Sequence, residues 1–203
     1  MDLKRTFDVV VASAVGIVAS PIILLTGALM TVAHGGQSPF FMQERVGKDG
    51  VCFQILKIKS MKDAFNESGA LLPVQERTTT LGKFIRKAKL DELPQILNVL
   101  KGDMSIVGPR PLLTTQVGIA DDPKRITIRP GIVGLQQISC GNNASYDEML
   151  SLDHKYIEEC SAQTPLKNLV YDLSIMTRTP LAILKNWKTP HYRNVVIPPR
   201  NDG

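Results

Sequence analysis

At 203 residues with 43% apolar content, the chain can fill one packed core but is too short for two full domains. Its formal charge of +5 favours an anionic partner (phosphate, nucleic acid or an acidic bilayer), though a solvated basic surface explains so modest an excess equally well. Cys52, Cys140 and Cys160 are odd in number and lack metal-ligand spacing, which argues against a disulfide framework or zinc site and for a reducing compartment.

The first element is apolar. Lys4 and Arg5 lead into a run from Val9 to Ala33 without a charged side chain. The run is long for a signal peptide, and no convincing small-x-small cleavage site sits where one should. A straight helix there would reach ~35 Å at ~1.5 Å per residue, enough to cross the hydrocarbon. Ser20-Pro21 sits near its middle, where proline removes a backbone donor and predicts a kink or break. A helix-break-helix could leave by the face it entered, with the Ser20 hydroxyl satisfying a freed carbonyl. Arg45 and Lys48 follow the segment as Lys4 and Arg5 precede it, which fits both ends on the cytoplasmic side. Crossing and re-entry both remain open on these grounds.

Gly35-Gly36 and Pro39 end that segment, and Val51 to Lys59 is rich in strand formers. Asp63 to Gln75 reads as a loop. Leu81, Phe84, Ile85 and Ala88 recur at helical spacing opposite Lys83, Arg86 and Lys87, which predicts a basic amphipathic helix. A second helix follows with Leu93, Ile96, Leu97 and Leu100 as its apolar stripe, Pro94 in its first turn and Gly102 at its end. Asp91 and Glu92 therefore lie at its N-terminus. Gly108-Pro109-Arg110-Pro111, Asp121-Asp122-Pro123 and Arg129-Pro130-Gly131 mark turns. Asp147 to Glu159 and Leu166 to Lys188 read as helices, the latter broken at Pro180, and the tail from Pro190 reads as extended. Walker, dinucleotide and zinc motifs are absent, as are internal repeats. His34, His154 and His191 are scattered and read as incidental.

Adjacent carboxylates with Lys87 and Lys89 nearby, at a helix N-terminus, mix hard oxygen ligands with amide and cationic donors. Such a mixture suits Mg²⁺ and phosphate, and a carboxylate there can bind metal, act as base or attack phosphorus. Helix capping explains the same two residues. Arg110 is stiffened by a proline on each side, which suits bidentate phosphate binding or a structural ion pair. Arg129-Pro130-Gly131 repeats that arrangement.

Several motifs occur in a telling order: Lys4-Arg5-x-x-Asp8, Ser20-Pro21, Gln43-x-Arg45-x-Gly47, Lys57-x-Lys59-Ser60-Met61, and Arg86 with Leu90-Asp91-Glu92-Leu93-Pro94-Gln95. Asn98-Val99-Leu100-Lys101-Gly102-Asp103-Met104-Ser105, Gly108-Pro109-Arg110-Pro111 and Arg129-Pro130-Gly131-x-x-Gly134 complete the set. In this order they resemble the bacterial sugar transferases, the small monotopic polyprenyl-phosphate phosphoglycosyl transferases. The resemblance implies an α+β, mainly helical fold. Residues 1–34 would form a re-entrant membrane helix hinged at Ser20 and Pro21, and residues 35–203 a catalytic domain of interfacial amphipathic helices and short strands at the cytoplasmic face of the bacterial inner membrane.

It also implies a ping-pong reaction in which Asp91 attacks a UDP-sugar, releases UMP and passes the phosphosugar to polyprenyl phosphate. This would be the first membrane step of glycoconjugate biosynthesis, ahead of other glycosyltransferases. Glu92 would complete the dyad, and Asp91 with Glu92 would hold Mg²⁺. Arg86, Arg110, Arg129 and Lys59 are the expected phosphate or substrate contacts; nucleic acid is not an expected partner. The family commonly has an arginine where this chain reads Ser139-Cys140-Gly141-Asn142-Asn143, so donor recognition is expected to differ. Asp153-x-x-Tyr156 and Asp172 match later positions without an assigned role. The readings to set beside this one are a direct-displacement transferase and a non-catalytic membrane anchor of a glycan-assembly complex.

Overall fold

The computed structural model describes residues 2–114, 122–140 and 145–185. The expected extended tail, His191, Asp121 and Gly141–Asn143 of the divergent stretch lie outside the described residues. The fold is mainly helical with two small sheets, as the resemblance implied.

Helix α1 (Leu3–Ala33) starts at Asp2, whose side chain accepts from the Lys4 amide, and stops where Gly35 and Gly36 take positive φ. It runs unbroken through Ser20-Pro21, so the expected break is absent. Pro21 has no amide to give the Ile17 carbonyl one turn back, and Ser20 Oγ donates to that carbonyl instead, at 2.9 Å. The hydroxyl replaces the missing bond. One face of α1, with Asp8, Ala12, Ala19, Thr26 and Met30, is buried against the rest of the molecule. The opposite face leaves Ile17 75% and Val32 80% exposed. By length and composition α1 is long and apolar enough to cross a membrane.

Strands β1 (Phe40–Val46) and β2 (Cys52–Ile58) form an antiparallel hairpin, closed by a tight loop in which Asp49 and Gly50 have positive φ. The strand expected from Val51 is present as β2; β1 was not expected. Short helix α2 (Val74–Arg77) lies in the loop region before α3 (Thr80–Lys87), which is capped by Thr79 Oγ1 on the Gly82 amide. Ile85 of α3 joins Met30 and Ile58 in a small core at the far end of α1, each burial contributing roughly 1.5–3 kcal/mol. Phe84 stays exposed, on the same side as Lys83.

A 3₁₀ segment (Leu90–Gln95) with Pro94 inside leads into α4 (Ile96–Lys101), closed by Gly102 at φ 100°. The expected stripe is revised: Ile96 and Val99 are buried, whereas Leu97 is 51% exposed. Asn98 decides the rotation. Its side chain is buried, donating to the Gln54 carbonyl at 2.7 Å and accepting from the Leu56 amide at 3.1 Å, which locks α4 onto β2.

Strands β3 (Ser105–Val107) and β5 (Gly131–Val133) pair in parallel, and β4 (Leu112–Leu113) adds to β1. Behind them lie α5 (Leu135–Ser139), α6 (Tyr146–Ala162) and α7 (Pro165–Lys185). Ser145 and Glu148 form a capping box at the start of α6. Helix α7 continues through Pro180 rather than breaking there. Pro180 is exposed, and Thr179 Oγ1 bonds the Ile175 carbonyl at 2.8 Å within the same turn. The main core joins Ala12 and Ala19 of α1 to Ile55, Ile96, Val99, Met104, Leu135, Tyr156 and Ile175, so the apolar helix shares its packing with the rest of the chain.

Candidate active site

Three residues upstream of the 3₁₀ segment's interior, the chain turns sharply. Lys89 occupies the left-handed region at φ 59°, a conformation costing roughly 1–2 kcal/mol for a non-glycine residue. The turn separates α3 from the Leu90–Gln95 segment and sets Asp91 and Glu92 in its first turn, with the Glu92 amide donating to the Lys89 carbonyl at 3.2 Å. The dyad thus sits at a helix N-terminus, on a 3₁₀ rather than an α turn.

The two carboxylates have different surroundings. Glu92 Oε1 lies 3.3 Å from Lys57 Nζ and 3.7 Å from Lys89 Nζ. Burial alone would raise its pKa, yet Lys89, Lys57 and Arg110 together hold it well below the usual carboxylate range. Asp91 is 8% exposed, and its Oδ1 is buried without a hydrogen-bond partner. Burial first, and the neighbouring Glu92 charge second, push Asp91 up to about 6, against the pull of Lys57, Lys89 and Arg86. A buried carboxylate oxygen with nothing to bond, among cations, is poised for a ligand. At neutral pH it is still mostly ionised.

Arg86 and Arg110 are the expected cations whose charge acts on the dyad. Arg86 is held by Ser60, its Nη2 donating to Oγ at 2.9 Å. Lys59 points elsewhere: its Nζ pairs with Asp63 Oδ2 at 2.7 Å, near His34. From β2 it is Lys57, two residues earlier, that reaches the dyad, where it joins Lys89. Arg129 lies at the other end of α4, its Nε donating to the Gly102 carbonyl at 2.8 Å. Arg5 joins it there, bonding the Val99 and Leu100 carbonyls, so cations complement the negative end of the helix whose positive end carries the dyad. The structure therefore gathers Asp91, Glu92, Arg86 and Arg110, and places Lys59 and Arg129 apart from them. Ser20 and Pro21 lie in the middle of α1, on its exposed side.

Sequence reasoning passed over Lys57 and Arg45. Alternation along β2 would have put Lys57 and Lys59 on one face without choosing between them. Arg45 is 9% exposed and lies close enough to Arg110 that burial, then that like charge, push its pKa down to about 10. The late residues without assigned roles are buried. Tyr156 OH donates to Asp172 Oδ1 at 2.7 Å, and Asp172 Oδ2 is 2.6 Å from Lys4 Nζ. Asp153 pairs with Arg125, and His154, read as incidental, holds Asp122 at 2.9 Å.

No cluster of three or more His, Cys, Asp or Glu exists among the described residues, so no all-protein cage for a metal is present there. Mg²⁺ instead favours one or two carboxylates completed by water and substrate phosphate, and the unpartnered Asp91 oxygen beside Glu92 fits that donor set.

A buried aspartate and a part-buried glutamate, with lysine and arginine charges around them at the start of a helical turn, form a site able to take an anionic ligand or a cation. The comparisons give the lineage: the family model for bacterial sugar transferases matches residues 1–186, and the chain belongs to that family. It is 42% identical over 172 residues to the uncharacterized sugar transferase EpsL of Bacillus subtilis, covering 83% of this chain and 84% of that protein. It is 36% identical over 195 residues to the exopolysaccharide production protein ExoY of Rhizobium meliloti, covering 87% and 83%. Undecaprenyl-phosphate galactose phosphotransferase of Salmonella typhimurium is 34% identical over 202 residues, covering 90% of this chain but 40% of that longer protein.

Proposed function

We propose that the chain moves a sugar phosphate from a UDP-sugar to polyprenyl phosphate through a covalent intermediate on Asp91. The observation that carries this is the buried, unpartnered Asp91 oxygen amid Lys57, Lys89, Arg86 and Arg110. The relative named for galactose phosphotransfer to undecaprenyl phosphate supports the reaction class.

In the first half-reaction an Asp91 carboxylate oxygen bonds to the β-phosphorus. The bond from that phosphorus to the bridging oxygen breaks, and UMP leaves with the electron pair. In the second, an oxygen of polyprenyl phosphate attacks the same phosphorus, the bond to Asp91 breaks, and polyprenyl-diphosphate-sugar forms. The four cations offset charge on the diphosphate, and Lys57 and Lys89 keep Glu92 ionised beside the nucleophile. Asp91 and Glu92 are the residues that would hold Mg²⁺, which supplies further charge neutralisation when bound. Two steps with a carboxylate nucleophile need no general base to start.

The acceptor is a greasy lipid, so the site belongs where lipid meets water. Helix α1 is packed at both ends against the same body: Asp8 bonds the Ser105 hydroxyl, and Met30 packs with Ile58 and Ile85. Its outward apolar face turns away from that body. Both features support monotopic attachment, with residues 1–34 in the bilayer and the remainder at the cytoplasmic face of the inner membrane.

Incubation with UDP-sugar labelled in the β-phosphate, without lipid, tests the covalent route. Labelled protein is expected from the native chain and none from Asp91→Asn; turnover without any labelled protein rejects the intermediate. Single cysteines at positions 2 and 37 are expected to react only from the cytoplasmic side, and labelling of either from outside rejects the topology.

A further inference from the structure

The Pro109-Arg110-Pro111 segment has an unusual anchoring problem. Neither proline has an amide, so the loop is pinned through its three carbonyls and the single Arg110 amide, which donates to the Asp153 carboxylate. All three carbonyls are taken. Pro109 O accepts from the Gly131 amide at 2.8 Å, Arg110 O from Arg125 Nη2 at 2.9 Å, and Pro111 O from Arg45 Nη1 at 3.0 Å. The first bond requires glycine, because a Cβ at Gly131 would come within 2.1 Å of the Gly108 nitrogen.

The two arginines are themselves fixed. Arg45 Nη2 donates to Gln43 Oε1 at 2.6 Å. Arg125, 9% exposed, pairs with Asp153, which is 1% exposed. Asp122 lies 4.0 Å from Arg125 Nε and is held in turn by His154. Behind the loop is a cavity of about 20 Å³ lined by Arg110, Asp122 and Arg125, room for about one water and no substrate group. Arg125 therefore reaches the chemistry only through the backbone it holds. The Arg110 side chain is exposed, and its charge is felt by Glu92.

We infer that Arg125, locked by Asp153, and Arg45 form a two-sided brace on the Arg110 and Pro111 carbonyls that aims the Arg110 guanidinium at the dyad. Both are positioning residues. The inference rests on the transferase reading for its functional consequence, though not for the brace itself. Arg125 Nη2 alone donates to both the Arg110 carbonyl and the Asp153 carboxylate, and the planar guanidinium fixes the directions of its two N–H bonds, whereas a lysine ammonium keeps the charge on a flexible, freely rotating stem.

The test uses the full-length protein in lipid nanodiscs. Arg125→Lys leaves Asp153 a cationic partner, and Asp153→Asn, which retains an acceptor, serves as the second variant if the first does not fold. In both, amide exchange of Gly108 and Arg110 is expected to quicken at least about fivefold while α4 is unchanged; unchanged exchange at these amides overturns the brace. The activity arm measures UMP release from a UDP-sugar the native protein accepts. Arg125→Lys is expected to lower kcat/KM by roughly 10- to 100-fold, the scale of an ångström-level misplacement. In an Arg110→Ala background the same change is expected to cost less than about threefold. Full additivity of the two losses overturns the positioning role, because the effect then does not pass through Arg110. Native protein inert toward every UDP-sugar overturns the transferase reading instead, and the exchange arm still decides the brace.

Discussion

Two buried aspartates, Asp8 and Asp91, occupy opposite kinds of site. Asp8 Oδ1 accepts from Ser105 Oγ at 3.0 Å and the Ile106 amide at 3.1 Å, with Lys4 Nζ at 3.5 Å. Lys4 in turn reaches Asp172, and Tyr156 closes the network. Asp8 has hydrogen-bond donors and Asp172 has both a donor in Tyr156 and a cation in Lys4, which joins the start of α1 to β3, α6 and α7. Asp91 is nearly as buried, yet keeps an oxygen with no donor and shares its turn with a second carboxylate. The first arrangement lowers the free energy of the fold. The second raises it, and such cost is retained where a group must meet a ligand.

The comparison breaks most sharply in the first substitution pair. Asp91→Asn is expected to lower the rate of UMP release by a factor on the order of 10⁴–10⁶, the range found when a covalent nucleophile or its partner is removed. Its thermal midpoint is expected to hold or rise, since an unpaired buried charge disappears. Asp8→Ala is expected to do the reverse, costing about 1–3 kcal/mol in denaturant unfolding by leaving the buried Ile106 amide without its acceptor, while Lys4 keeps Asp172. If Asp91→Asn is the less stable of the two, the contrast fails.

A smaller effect follows from pH. On the proposed covalent route Asp91 attacks in its ionised form, and its pKa is raised from 3.8 to about 6. Acidification through that value protonates the nucleophile, so single-turnover UMP release is expected to fall about tenfold per pH unit below 6. A midpoint near 4 would remove burial from the account. The smallest expected effect is that of Ser20→Ala. The Ile17 carbonyl loses its hydroxyl donor, at a cost of about 0.5–1.5 kcal/mol for an intramolecular hydrogen bond, read as faster amide exchange around residues 17–25. No change there means that another group bonds that carbonyl.

Much of the site was legible because it is local. Pro94 tolerates only the start of a helix, which placed Asp91 and Glu92 at an N-terminus before any tertiary contact was known. Gly102 marked the end in the same way. The charge partners were not legible. Lys57 and Lys59 are chemically alike and share a strand face, and only the approach of Asp63 to one and Glu92 to the other separates them. Arg129 looked like a second Arg110 by its neighbouring proline, but it bonds the Gly102 carbonyl at the far end of α4. The breaks expected at Pro21 and Pro180 both failed. Each proline follows a residue whose hydroxyl bonds a carbonyl of the preceding turn, but only Ser20 reaches the carbonyl that its proline leaves open; Thr179 bonds Ile175, one residue before the Met176 carbonyl that Pro180 would have met.

By itself the sequence determined the elements whose cause lies within a few residues: the apolar N-terminal helix, the carboxylate-bearing turn, and the caps at Thr79, Gly102 and Ser145. Family membership also came from it, since ordered motifs survive without knowledge of their contacts. Tertiary structure alone decided which side of α4 is buried, which lysine meets Glu92, and how Arg45 and Arg125 grip a loop with too few amides. Those outcomes depend on groups dozens of residues apart competing for the same partner, and such competition is settled only when the chain has packed.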